Sequence, residues 1–222
     1  MVENFGSAPF PKGTAEQPTP PHQIAALTLA AARCVELGVP VGVNVLRNDA
    51  RAALGVAAAV GAAFVRVNVH VGAYVTDQGL IEGRAFETLR YRAAIGADDV
   101  AIVADVRVKH AAPLAAVPVP TEVEDALKRG KADGVIVTGA GTGKVVDAAL
   151  LAEVRGAAGD APVWIGSGLT PDTAPRLAPL ADAAIVGTWL KRGGDVKNPV
   201  DADRVRQMAE ALAAHLRPAP AL

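Results

Sequence analysis

Polar side chains stand at the ends of several strongly apolar segments of this 222-residue sequence. If the segment 64–70 is a β-strand, Arg66, Asn68 and His70 share one of its faces, because side chains alternate along a strand. Asn44 occupies the place of Asn68 in an earlier segment with the same Val-Asn-Val residues. Buried polar groups need partners or water, so these residues indicate either a ligand site or polar plugs beneath the following helices. Their recurrence favours a site, with His70 as a catalytic candidate and the other three as substrate-binding candidates.

A carboxylate and an amine share one face of a third apolar segment. Asp105 and Lys109 stand where α/β barrels place their active sites, at the carboxyl end of a strand. Such a pair can keep both groups charged and position a proton donor. We therefore predict that Asp105 and Lys109, together with His70, are catalytic, and that His110 assists them. A purely structural ion pair between Asp105 and Lys109 would explain the same spacing.

Two glycine-bearing turns in the last third of the chain are typical of an anion site. Glycine lets the backbone approach a ligand closely, and loops after the last two strands of α/β barrels commonly bind phosphate. A nearby threonine hydroxyl and a lysine can add a hydrogen bond and a positive charge. The predicted phosphate-binding residues are Gly166, Ser167, Gly168, Gly187, Thr188 and Lys191.

Two further polar segments are less specific. The segment 139–144 is rich in glycine but departs from the nucleotide-binding P-loop pattern at positions 138 and 145, so it is either an anion-binding loop or a plain turn. The polar segment 76–84 is typical of loops that cover sites. Within it, Asp77 is a substrate-binding candidate that could equally be solvated. A metal-dependent lyase that uses Asp77, Glu82 and Asp105 is the least favoured hypothesis. We predict neither a metal nor an organic cofactor.

The elements that would position these residues alternate along the chain. Near-continuous Val- and Ile-rich runs indicate strands buried on both faces of a parallel sheet, and amphipathic patterns between them indicate helices. The first βα turn lacks the glycine-rich pattern of a doubly wound dinucleotide-binding sheet. We therefore predict a single (β/α)8 barrel, residues 1–216, that lacks its first strand–helix unit, followed by a disordered tail, 217–222. The predicted strands are 2–5, 41–46, 64–69, 100–106, 134–137, 163–165 and 183–186.

Helix boundaries follow from capping residues. Asp49, Asp147 and Asp201 each precede a helical pattern and can accept hydrogen bonds from its first N–H groups. Thr121 and Glu124 have the spacing of a capping box. Thr170 with the following proline is typical of a helix start.

Composition excludes several classes of function. The formal net charge is −1, so no basic surface is expected to attract nucleic acid. No apolar stretch is long enough to cross a membrane, and no secretory signal opens the chain. Cys34 is the single cysteine and cannot form a disulfide within one chain, which favours a reducing cytoplasm.

Several long blocks of the sequence resemble the BtpA family, from residue 2 to about residue 206. The blocks are Val-Glu-Asn-Phe-Gly at 2–6, Gly-Val-Asn-Val-Leu-Arg-Asn-Asp at 42–49, Arg-Val-Asn-Val-His at 66–70, and the segments 76–84, 104–111, 138–144 and 166–168. Asn4 and Thr138 lie within these blocks and join the substrate-binding candidates. Family members are ribulose-phosphate-binding-type barrels, and some are peripheral proteins on the cytoplasmic side of thylakoids with a role in photosystem I biogenesis.

The sequence departs from the family pattern at two places. Family members usually begin about 40 residues earlier, so we expect a mis-assigned start or a truncated chain. Ser7 stands where the family typically has aspartate, which weakens any metal site beside Asn4. A barrel without its first unit would expose an apolar seam beside the strand 2–5, and we expect lower stability or self-association through that edge.

Two hypotheses of function follow. The first is an enzyme, a lyase, isomerase or hydrolase, that acts on a small phosphorylated metabolite such as a sugar phosphate or nucleotide by acid–base chemistry. The second is a non-catalytic factor for the biogenesis or stability of a membrane complex such as photosystem I. Binding of a phosphorylated compound would separate them, because only the first requires a phosphate site.

Overall fold

Alternating strands and helices make up the computed structural model, which describes residues 1–139 and 141–218. Seven of its strands coincide with, or lie inside, the seven predicted segments, which confirms the predicted strand pattern. In chain order the strands are β1 (Val2–Glu3), β2 (Gly42–Asn44), β3 (Phe64–Val67), β4 (Ala73–Thr76), β5 (Gly79–Glu82), β6 (Ala101–Val106), β7 (Ala111–Pro113), β8 (Gly134–Val137), β9 (Val163–Ile165) and β10 (Ala183–Ala184).

The seven predicted strands form one parallel sheet whose spatial order is the chain order, β1-β2-β3-β6-β8-β9-β10. Sequential parallel strands with helices between them are the arrangement of an α/β barrel. The sheet is curled, because Glu3 of β1 and Ile185 just after β10 line the same cavity although their strands are the two edges. The described residues thus supply seven of the eight strands of a closed barrel, as the barrel prediction requires.

The helices pack against the outside of this sheet. Apolar side chains of the helices and of the outward strand positions form two buried clusters, one on the first half of the sheet and one on the second. The helices are α1 (Pro21–Val35), α2 (Ala50–Val60), α3 (Ala85–Ala94), α4 (Val119–Glu124, continued by a π-helical turn, Asp125–Arg129), α5 (Ala148–Ala158), α6 (Ala174–Leu177) and α7 (Ala202–His215).

Three of the predicted caps are confirmed, Thr170 caps the turn that leads directly into α6, and one predicted cap is wrong. Asp49, Asp147 and Asp201 accept hydrogen bonds from the first N–H groups of α2, α5 and α7. Thr121 does not cap α4, because the helix already begins at Val119 after a proline. Thr170 Oγ1 accepts from the Thr173 N–H at 3.3 Å, and the Thr170 carbonyl oxygen accepts from the Ala174 N–H at 2.9 Å, so Thr170 caps the turn 171–173 that continues into α6.

The segment 76–84 is ordered secondary structure rather than the irregular covering loop that its polarity predicts. β4 and β5 form an antiparallel hairpin, and β7 pairs with the other edge of β4. Tyr74 and Ile81 face each other on the hairpin and are 5% and 5% exposed, so one face of this small sheet is apolar. The hairpin therefore has a core of its own, and its turn presents Asp77 to solvent.

Inside the curled sheet, polarity changes from one end to the other. The Phe64 and Trp164 rings meet edge to face with centroids 4.9 Å apart and, with Val103 and Ile136, fill the amino end of the interior. A side chain on Gly42 would overlap the Phe64 ring, so glycine leaves room for this plug. The next inward positions along the strands are polar, which leaves the carboxyl end of the interior as the place for a site.

Arg217, near the end of the described residues, contacts the body of the fold. The Arg217 backbone N–H donates to the Ala181 carbonyl oxygen at 3.1 Å, so the first residue of the predicted disordered tail contacts the fold. Residues 219–222 of that tail lie outside the described residues, and the domain boundary at 216 stays a prediction. None of the described helices is both long and apolar enough to cross a bilayer.

Candidate functional site

A buried network of polar side chains forms the floor of the carboxyl end. Arg66 donates from Nε and Nη2 to the two carboxylate oxygens of Asp105, each at 2.8 Å. Asn68 Nδ2 donates to Asp105 Oδ2 at 2.8 Å, and Asn44 Nδ2 donates to Asn68 Oδ1 at 3.2 Å. Burial acts to lower the pKa of Arg66, but the charge and hydrogen bonds of Asp105 outweigh it and the pKa is raised. The floor is therefore a fixed, charged platform.

The predicted ion pair between Asp105 and Lys109 is wrong. The carboxylate of Asp105 is bound on both oxygens by Arg66 and Asn68, and no ion pair joins Lys109 to an acidic side chain in the part of the chain that the structure describes. The four-residue spacing of Asp105 and Lys109 would place both on one face of a continuous strand. Lys109 instead lies three residues beyond the end of β6, where strand alternation no longer holds. The two residues nevertheless share the same end of the sheet.

Lys109 is held in place through its backbone. Its N–H donates to Thr138 Oγ1 at 3.1 Å, and its carbonyl oxygen accepts from Arg47 Nη2 at 3.0 Å. Burial lowers the pKa of Lys109, the charge of Arg66 lowers it further, and nearby carboxylates, Glu3 first, offset only part of the shift. A lysine fixed in this way can give up its proton more readily than a solvated one and can act as a base.

The two glycine-bearing turns lie side by side and line a cavity of about 240 Å³, here called the glycine-turn cavity. All six predicted phosphate-binding residues line it, together with Arg66 of the floor and with Lys109, so the structure brings these candidates together. Its lining comprises Met1, Glu3, Phe5, Arg66, Lys109, Thr142, Gly143, Gly166, Ser167, Gly168, Ile185, Gly187, Thr188, Lys191 and Val196.

The glycines of these turns have different roles. A Cβ on Gly166 would lie 2.5 Å from the Ile136 side chain, and one on Gly168 would lie 1.8 Å from the Lys144 carbonyl oxygen. Close packing between neighbouring loops therefore requires both glycines. A Cβ on Gly187 would meet nothing within 4 Å, so this glycine keeps the backbone accessible from the cavity. Ser167 Oγ accepts from the N–H of Gly139 at 3.2 Å, which fixes the hydroxyl at the wall.

A second cavity, of about 290 Å³, adjoins the first and is here called the phenylalanine cavity. It contains the predicted candidates Asn68, Asp77 and Lys109. Asp77 Oδ1 lies 3.6 Å from Arg47 Nε, so the hairpin turn is tied to the wall of this cavity. The lining comprises Glu3, Phe5, Phe10, Leu46, Arg47, Asn68, Asp77, Lys109, His110 and Thr142.

Some predicted residues support the site without lining it. The Asn4 side chain accepts from the Leu46 N–H at 2.7 Å and donates to the Leu46 carbonyl oxygen at 3.2 Å, so it joins two loops. Asn44 lies beneath Asn68, and Thr138 lies beneath Lys109. These three residues position neighbours that face the cavities.

His70 lies apart from the other candidates. It is 1% exposed, lines neither cavity, and its Nε2 atom hydrogen bonds with the Gly130 carbonyl oxygen at 2.7 Å. Burial lowers the pKa of His70, and the bond to Gly130 offsets part of that shift. Strand β3 ends at Val67, before His70, and the chain then turns away from the site. We therefore assign His70 a structural role between β3 and the π-helical turn after α4.

Sequence reasoning missed two charged residues of the site, Glu3 and Arg47. Glu3 lines both cavities and is the carboxylate that both share. The sequence signal for Glu3 was its charge, next to Asn4 in a predicted strand. Adjacent side chains of a strand point to opposite faces, so only one of these two residues can face the cavity. Asp77, Glu82 and Asp105 do not converge, and no cluster of three potential metal-ligating side chains occurs within residues 1–139 and 141–218.

The family model for the BtpA family matches residues 1–214. This chain belongs to the BtpA family. A Synechocystis relative, "Photosystem I biogenesis protein BtpA", is 47% identical over 221 residues, which cover 99% of this chain and 75% of the relative. An uncharacterised relative from Thermococcus kodakarensis is 45% identical over 222 residues, covering 98% of this chain and 80% of the relative.

Solved structures with the same fold are far more distant in sequence. N-(5′-phosphoribosyl)anthranilate isomerase from Pyrococcus furiosus superposes with a TM-score of 0.55 at 13% identity, covering 84% of this BtpA-family chain and 80% of the isomerase. The corresponding Thermus thermophilus enzyme gives a TM-score of 0.53 at 14% identity, with coverages of 82% and 78%. This likeness confirms the barrel fold predicted for the chain and concerns the fold alone.

Proposed function

We propose that this BtpA-family protein is an enzyme that binds a small phosphorylated metabolite and moves a proton on it with Lys109. The observation that carries the proposal is the glycine-turn cavity, because the turns 166–168 and 187–188 and Lys109 line the same space. A ligand whose phosphate contacts the turns would present its neighbouring atoms to Lys109.

The phosphate end of the ligand is bound by groups of the two turns. Gly187 leaves its backbone accessible, Thr188 offers a hydroxyl donor, and Lys191 offers a positive charge. Charged donors to phosphate oxygens form short, strong hydrogen bonds. Arg66 adds positive charge at the floor, where Asp105 holds its guanidinium in place.

Proton transfer is assigned to Lys109, with Glu3 as its balancing charge. With its pKa lowered, the Lys109 amine removes a proton from the bound compound and becomes an ammonium. Glu3 lines the same space and balances that positive charge, and the ammonium then returns the proton to another atom of the ligand. Isomerisation, elimination and hydrolysis of a phosphorylated sugar or nucleoside all use such steps.

The test is a thermal-shift series with phosphorylated and unphosphorylated sugars on the protein and on two variants. A ligand at 100 times its dissociation constant stabilises the folded state by about 2.7 kcal/mol. We expect ribose 5-phosphate, but not ribose, to raise the melting temperature, and we expect Thr188→Val and Lys191→Ala to reduce that rise. Lys128→Ala is the matched control, because Lys128 is exposed and lines neither cavity. No response to any phosphorylated compound would overturn the proposal.

A second candidate function is a non-catalytic factor for the biogenesis of a membrane complex. It is favoured by the name of the Synechocystis relative, which is 47% identical over nearly the whole chain. A protein of this kind would associate peripherally with its complex from the cytoplasm, the compartment that the single cysteine favours. Co-purification of a membrane complex that survives Lys109→Met, with no response to phosphorylated compounds, would support this candidate over the enzyme.

A further inference from the structure

The glycine-turn and phenylalanine cavities meet around Lys109, and we propose that they form one site for a phosphate joined through a sugar to a planar heterocycle. Nucleoside 5′-monophosphates are compounds of this class. The inference rests on the proposed function, since it assumes the phosphate site, and it adds which phosphorylated compounds the site selects.

The two cavities are neighbours that share part of their walls. Glu3, Phe5, Lys109 and Thr142 line both of them. Small-molecule sites usually measure about 300–1,000 Å³. At about 240 Å³ and 290 Å³, each cavity falls short of that range on its own, whereas the two together reach it. A ligand that fills the site therefore extends from the glycine turns past Lys109 into the phenylalanine cavity.

The far end of this site offers apolar and aromatic surface. Phe5 and Phe10 are two of the four phenylalanines in the chain, and both line the phenylalanine cavity with Leu46. Phe5 is 41% exposed and Phe10 is half-buried, so neither side chain is used up in the core. Aromatic side chains beside a binding site favour planar rings, which stack on them or pack against their edges. A simple sugar phosphate would leave this surface in contact with water.

Polar groups at the rim favour a heterocycle over a hydrocarbon ring. The Asp77 side chain is 59% exposed and can accept a hydrogen bond from a ring N–H, while the buried Arg47 beside it can donate to a ring nitrogen or carbonyl oxygen. Arg47 also donates to the Lys109 carbonyl oxygen, so recognition of the ring edge is mechanically connected to the proposed base. A ring with both donors and acceptors at its edge would satisfy both side chains.

The experiment is isothermal titration calorimetry of the protein with adenosine 5′-monophosphate, uridine 5′-monophosphate, ribose 5-phosphate and adenosine. We expect at least one nucleotide to bind about tenfold or more tightly than ribose 5-phosphate, with adenosine weaker than the nucleotides. Phe10→Ala should abolish that preference and leave the affinity for ribose 5-phosphate unchanged. Phe86→Ala is the matched control, since Phe86 is 68% exposed on α3 and lines neither cavity.

Two results would overturn the inference, and they differ in what else they affect. If ribose 5-phosphate binds as tightly as both nucleotides, or if Phe10→Ala weakens all of them equally, the ring site is wrong while the phosphate site stands. If none of the phosphorylated compounds binds, the proposed function fails as well. Melting curves of both unliganded variants establish that each is folded before titration.

Discussion

Replacing Asp105 with asparagine would leave the Arg66 guanidinium buried without its counter-charge, with almost no change in side-chain volume. Arg66 is 2% exposed, and both of its hydrogen bonds to Asp105 measure 2.8 Å. Arginine does not lose its proton in proteins, so the charge remains in the variant. Removing one partner of a buried ion pair typically costs about 3–5 kcal/mol. We expect a loss in this range, because Asn68 also loses a charged acceptor.

The assay is urea unfolding followed by circular dichroism, with thermal melting as a second measurement. For a domain of about this length, 1 kcal/mol corresponds to a melting-temperature change of roughly 2–4 °C. Asp105→Asn should therefore lower the melting temperature by roughly 6–20 °C. Asp203→Asn is the matched control, because Asp203 pairs with Arg206 on the surface, where both side chains are more than half exposed. Exposed pairs contribute about 0–1 kcal/mol, so the control should barely change.

A second variant separates the charge from other effects of the substitution. Replacing Arg66 with methionine in the Asp105→Asn background removes the uncompensated charge and should recover part of the lost stability, since buried pairs can often be replaced by apolar residues without loss. A loss below about 1 kcal/mol for Asp105→Asn, or a double variant less stable than the single one, would refute the reasoning that the buried charge dominates.

Three further predictions concern other groups. Lys109→Arg keeps a positive charge that does not titrate, so turnover should fall at all pH values, whereas turnover by the unchanged protein should rise with pH through the lowered pKa of Lys109. Tyr74→Phe removes the hydroxyl that donates to buried Glu122 and should cost about 1–3 kcal/mol in urea unfolding. Because the pKa of His70 is lowered in the folded state, the unfolded state binds more protons, so stability should fall as pH drops below about 6.5. His70→Gln should reduce that loss in urea titrations at pH 7.5 and 5.5.

The sequence predicted the main sheet well because its signals are local. The five inner strands of the parallel sheet are buried on both faces and therefore appear as short, mostly apolar runs. Asp49, Asp147 and Asp201 mark the starts of their helices through local capping bonds. The hairpin of β4 and β5 was not predicted, because its one apolar face depends on pairing with β7, more than 25 residues further along the chain. The apolar face of the hairpin is buried only by tertiary contacts, and the mostly polar composition of the segment gives no sign of them.

The sequence predicted most of the residues that lie at the site but not which side chains bind each other there. Alternation placed Arg66, Asn68 and Asp105 on inward positions, and the structure brings those three together. The same rule failed for Lys109 and His70, because each lies three residues beyond the last residue of its strand, whereas Asn68 directly follows β3. Strand ends cannot be read from a periodic pattern to within two residues, and catalytic side chains concentrate at those ends.

The order of the inward-facing residues along the strands indicates from which end of the interior a ligand reaches the site. Phe64 is followed inward by Arg66, Val103 by Asp105, and Ile136 by Thr138, so an apolar layer changes to a polar one within a single step on each of these strands. The apolar layer is closed by the Phe64 and Trp164 rings, whose centroids are 4.9 Å apart. This apolar layer disfavours passage of a polar ligand through the amino end, so we expect access from the carboxyl end. If the protein is the proposed enzyme, substrate and product share the carboxyl-end mouth, and we expect the product to compete with the substrate for the same turns.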